Sequence, residues 1–102
     1  MEYNRAMNSL HDLTEKVGET AKKLGHNEDP KIIFLFMLEE LGETARAFLK
    51  EEGYKENNNR VAESSEQELG DVFFLLLRLA YLKNIDLEAV LARTLKKLGA
   101  SE

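Results

Sequence analysis

Five acidic residues stand where an amphipathic helix would place apolar ones. Glu39, Glu40 and Glu43 fall inside "FMLEELGETARAF" (36–48), and Glu68 and Asp71 open "ELGDVFFLLLRLAYL" (68–82). In a helix each residue advances the direction of its side chain by about 100°. Glu40 and Glu43 are therefore neighbours, as are Glu68 and Asp71. Ile33, Phe36 and Ala47 lie within about 40° of Glu40, and Val72, Leu75, Leu79 and Leu82 share the side of the second pair. Glu39 sits at the margin of the first arc. Burying an ionised carboxylate without a partner costs several kcal/mol. Protonation, an arginine or lysine partner, or a metal ion would relieve it. Helical rotation sets Arg46 about 120° from Glu43, and Arg78 lies two turns beyond Asp71, so cations near the acids are scarce. Two carboxylate pairs on two helices make an all-oxygen site, which suits a hard cation, Mg²⁺ or Mn²⁺, better than zinc or copper. Glu68 also has a purely structural reading, because Ser65-x-x-Glu68 is a capping-box pattern. A di-iron centre would want Glu-x-x-His pairs. The two histidines, His11 and His26, follow neither pair at that spacing and read as surface residues.

Helices must hold these acids, and the pattern predicts four. Apolar residues from Tyr3 to Leu24 recur at three- and four-residue steps over about Glu2–Leu24, with Gly25 as the stop. Asp29 caps a second helix with Pro30 at its first position, running from about Lys31 to Glu52. The asparagine-rich stretch 53–64 reads as a mobile loop. A third helix spans about Ser65–Asn84. Asp86 caps a short fourth helix with Leu87, Val90, Leu91, Leu95 and Leu98 on one side and Gly99 after its end. The expected fold is an all-α, four-helix bundle-type domain over 1–102. The unbroken apolar runs 32–38 and 72–77 leave the central helices apolar nearly all round, so a dimer through them is expected.

Bulk properties narrow the partners. In 102 residues, acidic side chains outnumber basic ones 19 to 14, for a net charge of −5. That balance disfavours a nucleic-acid polymer or an anionic membrane as partner. Cysteine is absent, which removes thiolate catalysis and thiolate metal sites. No apolar run is long enough to span a bilayer and the first residues lack an apolar signal core, so the expected location is cytoplasmic.

"EELGE" (39–43), a gap of 24 residues, and "ELGD" (68–71) resemble the E-E-x-x-E…E-x-x-D signature of MazG-like nucleoside triphosphate pyrophosphohydrolases, of the all-α NTP pyrophosphatase superfamily. "GDV" and the closing segment "NIDLEAVLARTLKKL" (84–98) resemble the family's wording, and the likeness covers roughly 30–98. The resemblance implies a helical homodimer or homotetramer that uses Mg²⁺ to split a nucleoside triphosphate between the α- and β-phosphates. It implies Glu40, Glu43, Glu68 and Asp71 as metal ligands and Glu39 as a residue that orients the site or assists the attacking water. Many members carry Asn-x-Lys-Phe in the last helix for phosphate contact. Here Lys97 matches the lysine, while Leu95 stands in place of the asparagine. Phosphoribosyl-ATP pyrophosphohydrolase is a near alternative, but it usually has a histidine soon after the final aspartate, and 73–78 has none. A non-catalytic helical module whose acidic face binds a basic partner is the alternative from another class.

Overall fold

The computed structural model describes residues 9–53 and 64–100. Among them the chain forms four helices and no strand: α1 (Leu10–Lys23), α2 (Pro30–Glu51), α3 (Ser65–Leu82) and α4 (Leu87–Lys97). The all-α expectation holds. The expected loop at 53–64 falls almost entirely outside the described residues, as does the part of the first helix before Ser9. No helix among the described residues is long and apolar enough to cross a membrane.

Three helix boundaries depart from the periodic pattern. Ser9 is extended (φ −76°, ψ 151°) and its Oγ accepts from Asp12 N, so α1 begins at Leu10 rather than running through from Glu2. A serine hydroxyl offers the backbone an alternative to the helical bond, which apolar periodicity does not register. α3 ends at Leu82, two residues early. Asn84 turns left-handed there (φ 54°), and Asn84 N and Ile85 N donate back to Tyr81 O and Ala80 O. This is the Schellman stop, usually made by glycine. The cap of α3 is also one residue earlier than the pattern suggested: Ser64 Oγ accepts from Gln67 N, so the pair is Ser64-x-x-Gln67. Elsewhere the signals hold. Asp29 and Asp86 cap α2 and α4, Pro30 opens α2, and Gly25 ends α1 at φ 76°.

The described chain divides into two compact units, residues 1–26 with 77–102 and residues 27–76. In the first, Thr14, Gly18 and Ala21 form the buried stripe of α1, and Leu77, Arg78 and Ala80 are buried on α3. A methyl group on Gly18 would overlap the Tyr81 ring, so only glycine permits that approach; the distance between packed helices is set by the side chains at the contact. Glu88, in the first turn of α4, accepts the backbone N–H of Leu10 (3.0 Å) and His11 (3.3 Å). Two of the donors that every helix N-terminus leaves unpaired are thus met from α4.

In the second unit, α2 and residues 65–76 of α3 form a hairpin. Glu51, at the end of α2, accepts from Ser65 N (2.9 Å) and Ser65 Oγ (2.6 Å). These two bonds hold the Glu51 carboxyl below the usual carboxylate range. Ile33 is fully enclosed, and Ala47, Glu68 and Leu75 are buried with it. Outward, Phe34, Leu38, Leu41 and Phe48 of α2 and Leu69, Phe73 and Leu76 of α3 are exposed, Leu38 at 51%.

Candidate metal centre

Within the 27–76 hairpin, Glu40, Glu68 and Asp71 each present a carboxylate oxygen, and all three oxygens lie within 4.8 Å of one another. The fold delivers them as the sequence spacing requires. Ile33 and Ala47, one helical stripe with Glu40, are buried at 0% and 1% and seat that face of α2. Leu75 does the same for the face of α3 that carries Glu68 and Asp71. Glu68 is 6% exposed. Ser65 N and Oγ, donating to Glu51, join the start of α3 to the end of α2, and the acidic segments of the two helices meet at Glu40, Glu68 and Asp71.

The electrostatics follow from that crowding. Glu40 is pushed up from 4.5 to about 7. Burial is the largest cause, followed by the charges of Glu68 and Asp71, a hydrogen bond with Glu68 and the charge of Glu43. Burial and crowding thus favour the protonated form of Glu40. One of its oxygens is unmet: Glu40 Oε2 is buried and has no hydrogen-bond partner. A buried acceptor without a donor is costly in a folded chain. Three convergent carboxylates and an unpaired buried oxygen are what an oxygen-seeking divalent cation would satisfy, and the residues present fit one. Asp71 is already braced, because Gln67 Nε2 donates to its Oδ1 at 2.9 Å. Such a partner fixes the orientation of a ligating carboxylate.

Glu43 stands apart from this group. Its Oε1 accepts from Arg46 Nη2 at 2.9 Å. That corrects the expectation that Arg46 points away from it. A step of three residues is about 300°, which brings the two side chains to within about 60° of each other. The structural reading of Glu68 also falls, since Ser64 and Gln67 make the cap and leave the Glu68 side chain for the cluster. Glu39 is exposed on α2. Lys97 is exposed on α4, in the unit of 1–26 with 77–102. His11 and His26 are exposed, as expected. Gln67 and Arg46 are the residues that the acidic motif did not bring forward. Their signals were present in the Gln67/Asp71 four-residue step and the Glu43/Arg46 three-residue step, both spacings at which helical side chains meet.

Comparison with known proteins then bears on the activity. The family model for the MazG nucleotide pyrophosphohydrolase domain matches residues 28–100. No significant match is found among curated proteins or among solved structures. The matched segment takes in α2, α3 and α4 and all three convergent carboxylates. On that extent of match, this chain belongs to the family of MazG nucleotide pyrophosphohydrolase domains.

Proposed function

We propose that the chain is a Mg²⁺-dependent hydrolase that converts a nucleoside or deoxynucleoside triphosphate to the monophosphate and pyrophosphate, clearing unwanted nucleotides from the cytoplasmic pool, with residues 1–102 acting as one domain. Family membership supports the nucleotide pyrophosphohydrolase class. The observation that carries the metal dependence is the convergence of Glu40, Glu68 and Asp71, together with the unpaired buried Oε2 of Glu40.

Glu40, Glu68 and Asp71 would hold the ion, with Glu43 as a fourth ligand. When bound, Mg²⁺ (or Mn²⁺) neutralises phosphate charge, acidifies a bound water and favours in-line displacement. Gln67 keeps the Asp71 carboxylate oriented. Glu40 would hold the ion in its ionised form, which burial and then the charges of its neighbours disfavour in the metal-free chain. Glu39, exposed beside the cluster on α2, is assigned to orienting the attacking water, and Lys97 to a phosphate contact. Both assignments follow the family motif. The same family likeness, together with the exposed Phe34, Leu38, Leu41 and Phe48 and the exposed Leu69, Phe73 and Leu76, supports a homodimer or homotetramer that covers the outer faces of the hairpin.

The test is pyrophosphate release from a panel of canonical and modified NTPs and dNTPs, with Mg²⁺, with Mn²⁺ and with chelator, alongside a light-scattering mass. Metal-dependent release of pyrophosphate from one or more of them is expected, from particles of at least two chains. Release from none would leave a non-catalytic module as the better reading, and phosphoribosyl-ATP as the sole substrate would move the chain to the near alternative.

A further inference from the structure

Among the described residues of 27–76 the basic side chains are Lys31, Arg46 and Lys50, and Arg46 is the nearest of them to Glu40 along α2. Along α2, Lys31 and Lys50 lie nine and ten residues from Glu40, roughly 14–15 Å of helical rise, and Arg46 about 9 Å. Arg46 uses Nη2 on Glu43, while its Nε is buried and has no partner. The pair is partly open to water, with side chains 35% and 41% exposed, so it is weak and can exchange.

Two forces hold Glu43 where it is. Arg46 attracts it, and the three clustered carboxylates repel a fourth; its charge is already among the causes that raise Glu40. A divalent cation removes the repulsion. A phosphate chain competes for the attraction, because a guanidinium binds phosphate oxygens through paired donors and Arg46 has one donor left unmet.

We propose that Arg46 is a latch on Glu43 that the phosphate chain opens: the guanidinium gives up the Glu43 carboxylate and takes phosphate oxygens, and Glu43 turns to join Glu40, Glu68 and Asp71. The latch rests on the metal-binding reading above and assigns Arg46 a positioning role in it. Its consequence is order of assembly. Metal alone meets a three-carboxylate site, and metal arriving with phosphate meets a four-carboxylate one.

Calorimetric titration tests this with Mg²⁺ alone and with Mg²⁺ plus inorganic pyrophosphate, on wild type, Arg46→Gln, Glu43→Gln and the double variant. Arg46→Gln frees Glu43, so Mg²⁺ alone should bind about two- to fivefold tighter, the scale of an exposed ion pair. In the Glu43→Gln background the same change should have no effect on Mg²⁺. Pyrophosphate with Mg²⁺ should bind Arg46→Gln about tenfold more weakly, as expected for loss of a charged hydrogen bond. Mg²⁺ binding that Arg46→Gln leaves unaltered would overturn the latch alone. So would a gain that persists in the Glu43→Gln background, since that is a general charge effect, or undiminished pyrophosphate binding. Absence of any Mg²⁺ binding in all four proteins would overturn the latch together with the metal site.

Discussion

Among the described residues, the two units differ in the buried polar atoms they leave unmet. In residues 1–26 with 77–102, the exposed donors of α1 are met by Glu88 and Ser9, the buried Thr14 hydroxyl donates to Leu10 O, and glycine and alanine line the buried stripe. In 27–76, Glu68 is buried within the acidic cluster, Glu40 keeps a buried oxygen without a partner, and Arg46 keeps a buried donor without one. The first arrangement favours the folded chain. The second gives up stability to hold groups ready for something outside the chain, which is the usual relation between a site and its scaffold.

Four substitutions or titrations test that contrast. The largest effect belongs to the acids. Asp71→Asn or Glu68→Gln should lower metal-dependent pyrophosphate release by at least about 10²- to 10³-fold, the scale of losing one preorganised electrostatic group, with far-UV circular dichroism near wild type. Unaltered turnover would show that these acids serve the fold after all. Next comes Gly18→Ala. Its methyl must displace the Tyr81 ring, which should cost about 1–3 kcal/mol in chemical denaturation, while Mg²⁺ affinity stays at wild type. Equal loss of affinity and stability would erase the distinction between the units.

The third is pH. Glu40 binds its proton more tightly in the folded, metal-free chain, to about 7, than in the unfolded chain, at 4.5. Its contribution to stability is therefore full below about pH 4.5 and disappears as pH rises through about 7. Without metal, the melting temperature should fall between pH 5 and pH 8. Mg²⁺ favours the ionised form, so the melting shift it produces should be small near pH 5 and larger near pH 8. Glu40→Gln should flatten both trends, and an equal Mg²⁺ shift at the two pH values would place the ion elsewhere. The smallest is Asn84→Gly. It removes a side chain from a left-handed turn (φ 54°) and should raise stability by up to about 1 kcal/mol, read as a small rise in melting temperature without change in turnover.

Much of this was legible in the sequence, for identifiable reasons. Caps and stops depend on one residue and its immediate backbone, so Asp29, Asp86, Gly25 and Gly99 announced their helices. The faces of Glu40, Glu68 and Asp71 depend only on helical rotation. Ser64 and Ser65 both satisfy the capping pattern, one with Gln67 and the other with Glu68. Ser65 instead donates to Glu51, 14 residues away, and the cap falls to Ser64. Rotation gives the direction of a Cβ, not the end of a long side chain. Glu43 therefore looked like a member of the cluster, while its carboxylate sits on Arg46. The outward apolar faces were visible as a surplus of leucine and phenylalanine, but which side of each helix remains uncovered depends on packing across the hairpin.

The clasp between Glu51 and Ser65 has an engineering consequence. Because both ends of the connection 52–64 are tied at its base, the helices do not depend on that connection's wording to find each other. Lengthening it should cost only about 0.6 kcal/mol for each doubling. The connection is therefore the natural place to graft a fluorescent reporter, an affinity handle or a protease site, provided the glutamate and the serine that fasten it are kept.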